Sequence, residues 1–291
     1  MVPQRGAALS RTASGWRLVD RMLAGYGLVI AVVALGRLDQ RGIGWIVAAH
    51  AALPLLAWLA TRAPREGTGA ILRGAYPVVI LLGLYASLDV LNGFGSVPVH
   101  DAPLLRLEQA LFGMQPARDW WRAAPSRFWS TLLHAVYFSY YVIVPLPLLV
   151  LAAGRRWDEM GRYLDGVIAV FLACYLCYVA WPVAGPYYEF ARPTGTFVAN
   201  LPARLVYGTL SGGSSYGAAF PSSHVAATLA AALGGWRVSR RLGIVLLVPA
   251  LLLAVAVVYC QMHYVVDSAA GLVVGTAVPL AVDRWRVRAR R

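Results

Sequence analysis

Lysine is absent from this 291-residue chain: all 26 basic side chains are arginine, set against 13 acids, for a formal net charge of +13. Charge of either sign is scarce. Charged residues make up 13% of the chain and hydrophobic residues 59%. A soluble domain carries about 25% charged residues, so this chain has too little polar surface to cover a globule in water. That shortage excludes a disordered chain, a coiled coil and a nucleic-acid binder, in spite of the positive balance. Three cysteines are too few for a disulfide framework. Internal repeats, low-complexity linkers and a second, soluble domain are also missing. What remains is an all-α polytopic membrane protein, with apolar surface facing lipid and arginines at the membrane surface.

Crossing a hydrocarbon core of about 30 Å takes roughly 17–25 apolar residues. Eight runs of that kind lie near 18–37, 43–61, 74–92, 128–153, 161–182, 220–236, 242–262 and 265–283. Basic residues precede Met22 to Gly36, as in a secretory signal; a retained span is the expectation. Pro103 to Arg127 mixes leucines, arginines, Trp120 and Trp121, which suits an interfacial helix. Short loops that stay in the cytoplasm carry the excess of basic residues. With the N-terminus inside, inner segments hold 18 arginines and outer segments 8. Both termini are therefore expected in the cytoplasm and the long loop 183–219 outside. The charge of +13 is read as a topology signal rather than as a nucleic-acid or special lipid site.

The residues that carry chemistry fall in the last third: Trp181 to Pro193, then Phe220-Pro221-Ser222-Ser223-His224, then His263-Tyr264-Val265-Val266-Asp267. Under the expected topology all three lie at the outer face. Proline is tolerated in a first helical turn, serine caps it, and the unpaired N–H groups there form an anion site. A histidine at that point can reach a bound phosphate and protonate its leaving oxygen. The competing reading is an ordinary helix start. His263 and Asp267, spaced i, i+4, share one helix face. A carboxylate on one ring nitrogen leaves the other as an attacking lone pair. The competing reading is a pair that holds two helices together.

Together these segments resemble the type 2 phosphatidic acid phosphatase superfamily, whose motifs read K-x-x-x-x-x-x-R-P, P-S-G-H and S-R-x-x-x-x-x-H-x-x-x-D. Pro221 to His224 matches the second with serine for glycine, His263 and Asp267 match the end of the third, and Arg192-Pro193 the end of the first. The resemblance covers roughly 74–283. Gly185 stands where the lysine would, and Ala256 and Val257 where the Ser-Arg pair would. These gaps are shared by inositol phosphorylceramide synthases and sphingomyelin synthases, whose third motif has the form H-Y-x-x-D. Pro182 to Pro186, Leu107 to Gly113 and Tyr137 to Tyr141 are similar to segments of that branch as well.

The resemblance implies a pair of N-terminal transmembrane helices over 1–73 and a six-helix catalytic membrane domain over 74–291. It implies a covalent phosphohistidine mechanism with no metal or other cofactor. His263 would attack phosphorus, Asp267 would orient it, and His224 would protonate the leaving alkoxide and then deprotonate the acceptor. Arg192, Ser222 and Ser223 would hold phosphoryl oxygens, with Tyr188 near the substrate and Arg204 a possible replacement for a missing cation. The implied partners are a membrane lipid substrate and a small-molecule or lipid acceptor, at the extracytoplasmic face of a bacterial plasma membrane. Transfer of a phosphate-linked headgroup is the expected reaction, with a lipid phosphate phosphatase as the alternative. A transporter would also bury polar residues, but inverted repeats are not visible.

Other positions have ordinary readings. Gly208 to Gly217 is expected to be a lid or linker, and Cys174 and Cys177 to be small packing residues. His100, Asp101 and His134 are read as interfacial or packing residues. Tyr187, Tyr188 and Glu189 stand near the site, where an aromatic belt explains the tyrosines equally well. Gly271 and Gly275 fit close helix packing, within the bundle or between chains.

Overall fold

The computed structural model describes residues 15–64 and 67–288, so Arg5, Arg11, Arg65, Arg290 and Arg291 of the arginine pattern lie outside the described residues. Among the described residues the regular structure is helical, with one isolated bridge between Val183 and Ala218. In chain order the helices are α1 (Leu18–Leu35), α2 (Ile43–Ala51), α3 (Leu53–Arg62), α4 (Gly67–Leu91), α5 (Asp101–Phe112), α6 (Pro116–Ala123), α7 (Arg127–Phe138) and α8 (Tyr140–Ile143). They continue with α9 (Leu146–Ala153), α10 (Trp157–Ala180), α11 (Pro186–Glu189), α12 (Leu201–Gly213), α13 (Ser223–Val238), α14 (Arg240–Tyr259) and α15 (Val265–Arg288). Seven stretches among them are long and apolar enough to cross a membrane: α1, α2 with α3, α4, α7 to α9, α10, α14 and α15. The chain is an all-α polytopic membrane protein.

The remaining run, 220–236, forms α13, which has 16 residues, about 24 Å at 1.5 Å per residue. It is the axis of the bundle. Ala226, Ala227, Ala230, Ala231 and Ala232 are buried and let α10, α14 and α15 approach closely. A Cβ on Gly275 would lie 2.5 Å from the Ala226 carbonyl oxygen, and one on Gly271 2.7 Å from that of Ser222. The G-x-x-x-G pattern thus packs α15 on α13 inside the bundle, closing the choice that the sequence leaves open.

Prolines break the longer runs. Pro54 lacks the N–H that would bond to the His50 carbonyl, and the second run divides into α2 and α3 there. The run 128–153 turns at Ser139 and again at Pro145, producing α7, α8 and α9. In place of one interfacial helix, the stretch after Pro103 contains most of α5 and all of α6, parted by the left-handed Gly113. α5 is not a surface helix only: Asp101, Leu104 and Glu108 are buried, and it packs on α15. The loop 183–219 holds α11 and α12. Its Gly208–Gly217 part is a helix end followed by a tethered segment rather than a plain linker. There the Ser215 N–H donates to the Tyr85 hydroxyl, the Tyr216 N–H to Asp89, and the Asn92 amide to the Tyr216 carbonyl.

At the end of the bundle away from His263, buried acids tie α1 and α15 to α10. Asp165 accepts the Val19 N–H at 3.0 Å and pairs with Arg286 at 2.5 Å, while Asp20 accepts from Arg17 and from the Tyr76 hydroxyl. Cys174 and Cys177 are free thiols on α10.

Candidate active site

The Ser222 hydroxyl caps α13 by accepting the Val225 N–H, while the Ser222 N–H donates to the Asp267 carbonyl at 3.0 Å. That second bond stitches the His224 segment to the His263 segment. Tyr178 strengthens the joint, since its hydroxyl donates to the Pro221 carbonyl and accepts the Ser223 N–H. His263 lies on a tight turn in which the N–H groups of Met262 and His263 both donate to the Val257 carbonyl, with Gln261 at φ 59°. A non-glycine residue in that left-handed region persists when its surroundings hold it. Gln261 is so held: it is 1% exposed, its carbonyl accepts from Trp121 and Arg122, and its amide donates to the Ala191 carbonyl.

The two histidine rings stand 5.8 Å apart between centroids. His263 Nδ1 lies 3.4 Å from Asp267 Oδ2, and the same oxygen accepts the Tyr264 N–H at 2.9 Å. Nδ1 therefore faces the carboxylate, which leaves Nε2 as the nitrogen for attack. Burial pushes the His263 imidazole down to about 4, against the pull of the Ala219 carbonyl, so the ring is neutral near pH 7 and carries a lone pair. His224 is framed by aromatic rings from the broken α7–α8 run: Tyr140 at 4.6 Å and Tyr137 at 5.0 Å between centroids, with the Tyr137 hydroxyl 3.2 Å from His224 Nε2. The short α8 exists because the run turns at Ser139, and that turn brings both tyrosines to one histidine.

The other expected site residues divide. Ser223 is buried beside His224 at the edge of a cavity. Ser222 is fully buried with its oxygen engaged as the helix cap, so holding a phosphoryl oxygen is at most a second task for it. Arg192 is exposed and lies over the Tyr187 ring at 4.2 Å. Among the described residues its guanidinium has no hydrogen bond or ion pair, and the preceding Ala191 carbonyl is held by Gln261 and Arg122. The Tyr188 hydroxyl donates to Ser214, and its ring packs edge-on to Tyr187 and Tyr216. Arg204 is exposed on α12. His134 is a packing residue, bonded through Nδ1 to Ser130 and edge-on to Phe197. Among the described residues no group of three or more His, Cys, Asp or Glu side chains is placed to hold a metal ion.

Two acids of α5 hold the site's backbone, Asp101, which the sequence suggests as an interfacial or packing residue, and Glu108, to which it assigns no role. Asp101 accepts from the N–H groups of Ala184 and Gly185 and from the Tyr264 hydroxyl, and Glu108 accepts the Val266 N–H. Burial raises the Glu108 carboxyl above its ordinary value, and the Val266 and Val265 N–H groups oppose the shift. Their spacing of seven residues, which puts them on one helix face, was the available signal.

A cavity of about 400 Å³ begins at Ser223 and His224 and runs between α4, α8, α9, α10 and α12. Leu81, Tyr85, Tyr140, Leu164, Ile168 and Tyr175 are among its walls, and His224 is the one histidine that lines it. Along α10 it extends from Tyr163 to Tyr175, about 18 Å of helix axis.

The departures from the phosphatase motifs are built into the packing. Gly185 has φ 84°, and a Cβ there would lie 2.7 Å from that of Ala219, so a lysine does not fit without rearrangement. Ala256 and Val257 are fully buried in α14. Comparison with curated proteins and with solved structures returned no match. The sequence profile of the PAP2 superfamily matches residues 102–281, a stretch that contains both histidines, Asp267 and Arg192. With a profile match over most of its length and this arrangement of residues, the chain belongs to the PAP2 superfamily, a group of membrane phosphatases and phosphotransferases.

Proposed function

We propose that this protein transfers a phosphate-linked headgroup between lipids, or from a lipid to a small alcohol, through a phosphohistidine, as the inositol phosphorylceramide and sphingomyelin synthase branch does. The observation that carries the reading is the double position of His224, which faces His263 and also lines the apolar cavity. A hydrocarbon chain in that cavity brings the phosphoester of the same lipid to the two histidines. His263 Nε2 attacks phosphorus, the bond to the leaving alkoxide breaks, and His224 supplies its proton. An acceptor hydroxyl then gives its proton to His224 as its oxygen attacks the phosphohistidine and releases His263. Arg192 binds the non-bridging oxygens, and positioning with charge stabilisation carries most of the rate. The chemistry is placed at the extracytoplasmic face, with both termini in the cytoplasm.

Transfer is favoured over hydrolysis by the scarcity of cations. A phosphate monoester carries about −1.5 to −2 at neutral pH, and a diester carries one charge. Where the superfamily pattern supplies a lysine and two arginines, only Arg192 stands in register. A second uncompensated charge near the membrane is costly. The experiment is a competition between a lipid phosphate monoester and a phosphodiester lipid in the presence of an alcohol acceptor. Headgroup transfer from the diester is expected; inorganic phosphate released from the monoester alone would establish the phosphatase reading instead.

A further inference from the structure

The catalytic histidine assigned above is oriented by little of its own. Its Nδ1 approaches Asp267 only to 3.4 Å, and its place depends on the backbone turn on either side. Immediately after it, Tyr264 is fully buried and its hydroxyl donates to Asp101 Oδ1 at 2.9 Å, across 163 residues of chain. The same oxygen accepts the Gly185 N–H at 2.8 Å, and Oδ2 accepts the Ala184 N–H at 2.8 Å. Three donors converge on one carboxylate that is 4% exposed. A carboxylate accepts all three, whereas an amide would set a donor against one of them.

These donors belong to different pieces of the site. Val183, adjacent to Ala184, accepts the Ala219 N–H and donates to the Gly217 carbonyl, so it holds the segment that leads into Pro221 and His224. Tyr264 belongs to the His263 turn. One helix turn pair further along α5, Glu108 is fully buried and accepts the N–H of Val266, the residue before Asp267. Both acids therefore grip backbone or side chains next to the reacting groups without touching the site itself. Asp101 also lies just outside the stretch matched by the family profile, which begins at residue 102.

We propose that Asp101, with Glu108 on the same face of α5, is a positioning residue that sets His263 and Asp267 in register with His224 through Tyr264, Val266 and the Ala184–Gly185 backbone. This inference rests on His263 being the nucleophile. A displacement of about 1 Å at a reacting atom can cost about a hundredfold in rate, so loss of the grip appears in kcat while the cavity, and with it KM, is little changed.

The test uses the full chain in detergent with a dioctanoyl lipid phosphate or a dioctanoyl phosphodiester lipid, whichever the wild type turns over. Asp101→Asn, Tyr264→Phe and the double variant are compared for kcat, KM and thermal midpoint, with His263→Ala as the control. The expected result is a kcat lower by about tenfold in Tyr264→Phe and about a hundredfold in Asp101→Asn, with KM within about twofold. The double variant should be no worse than Asp101→Asn, because both changes remove one shared interaction. If Asp101→Asn does not fold, Tyr264→Phe decides, since it deletes one oxygen from a buried ring. Wild-type kcat in folded Tyr264→Phe and Asp101→Asn, with His263→Ala inactive, overturns this inference alone. Turnover by His263→Ala at the wild-type rate overturns the nucleophile assignment and this inference together.

Discussion

His263 and His224 occupy unlike surroundings: one is fixed by a buried turn and faces a carboxylate, the other is boxed by tyrosine rings and lines a cavity. Different failures should follow from removing each. His263→Ala is expected to abolish turnover together with any acid-labile phosphoprotein, and His224→Ala to slow the proton transfers on both sides of that intermediate. Asp267→Asn should keep the fold and lose about a hundredfold or more in kcat, because the wrong tautomer becomes favoured. Rapid-quench measurement of phosphoenzyme beside steady-state rates checks all three; a phosphoenzyme in His263→Ala would falsify the assignment. These three residues were legible in the sequence because histidine and aspartate are conspicuous at the edges of apolar runs. Gln261 was not, since nothing in a lone glutamine announces bonds to Trp121, Arg122 and Ala191.

At the scale of elements, run length and prolines anticipate most spans, and small residues decide how closely they pack. Gly275→Leu forces a side chain against the Ala226 backbone, 2.5 Å from the Cβ position. Overpacking of this kind costs about 1–3 kcal/mol, so a lower thermal midpoint in detergent is expected. Gly83→Ala in α4 meets nothing within 4 Å and should leave the midpoint unchanged or slightly raised. Equal effects of the two would contradict the packing argument. α5 is the element that the sequence reading placed least well. Its composition is that of an interfacial helix, and its buried acids are visible only once α15 is laid against it.

For the whole molecule, 13 of the 21 arginines among the described residues lie in the segments read as cytoplasmic: Arg17 before α1 and Arg21 on it, Arg62 on α3 and Arg73 on α4, Arg155 and Arg156 before α10 and Arg162 on it, Arg237 at the end of α13, Arg240 and Arg241 at the start of α14, and Arg284, Arg286 and Arg288 on α15. Some are tied into the bundle, as in the Arg237–Asp283 and Arg286–Asp165 pairs. An excess of arginine marks the cytoplasmic side, so the expected outcome of cysteine labelling in intact cells is access to residues 195–215 from outside and to the tail after Arg284 only after permeabilisation. Labelling of the 195–215 segment only after permeabilisation would reverse the orientation and move the proposed chemistry to the cytoplasmic face.

Hydropathy adds up along the chain, which is why the sequence by itself determined the membrane class, nearly all the spans and the order of the superfamily motifs. Hydrogen bonding at the site joins residues far apart in that order, and only the tertiary structure decided those bonds. It placed Asp101 on Tyr264 across 163 residues, engaged Ser222 as a helix cap, turned Tyr188 toward Ser214, and left Gly185 with no room for a lysine. The physical reason is burial: whether a polar side chain is free to meet substrate depends on which donors and acceptors the neighbouring helices bring to it, and local sequence does not contain that information.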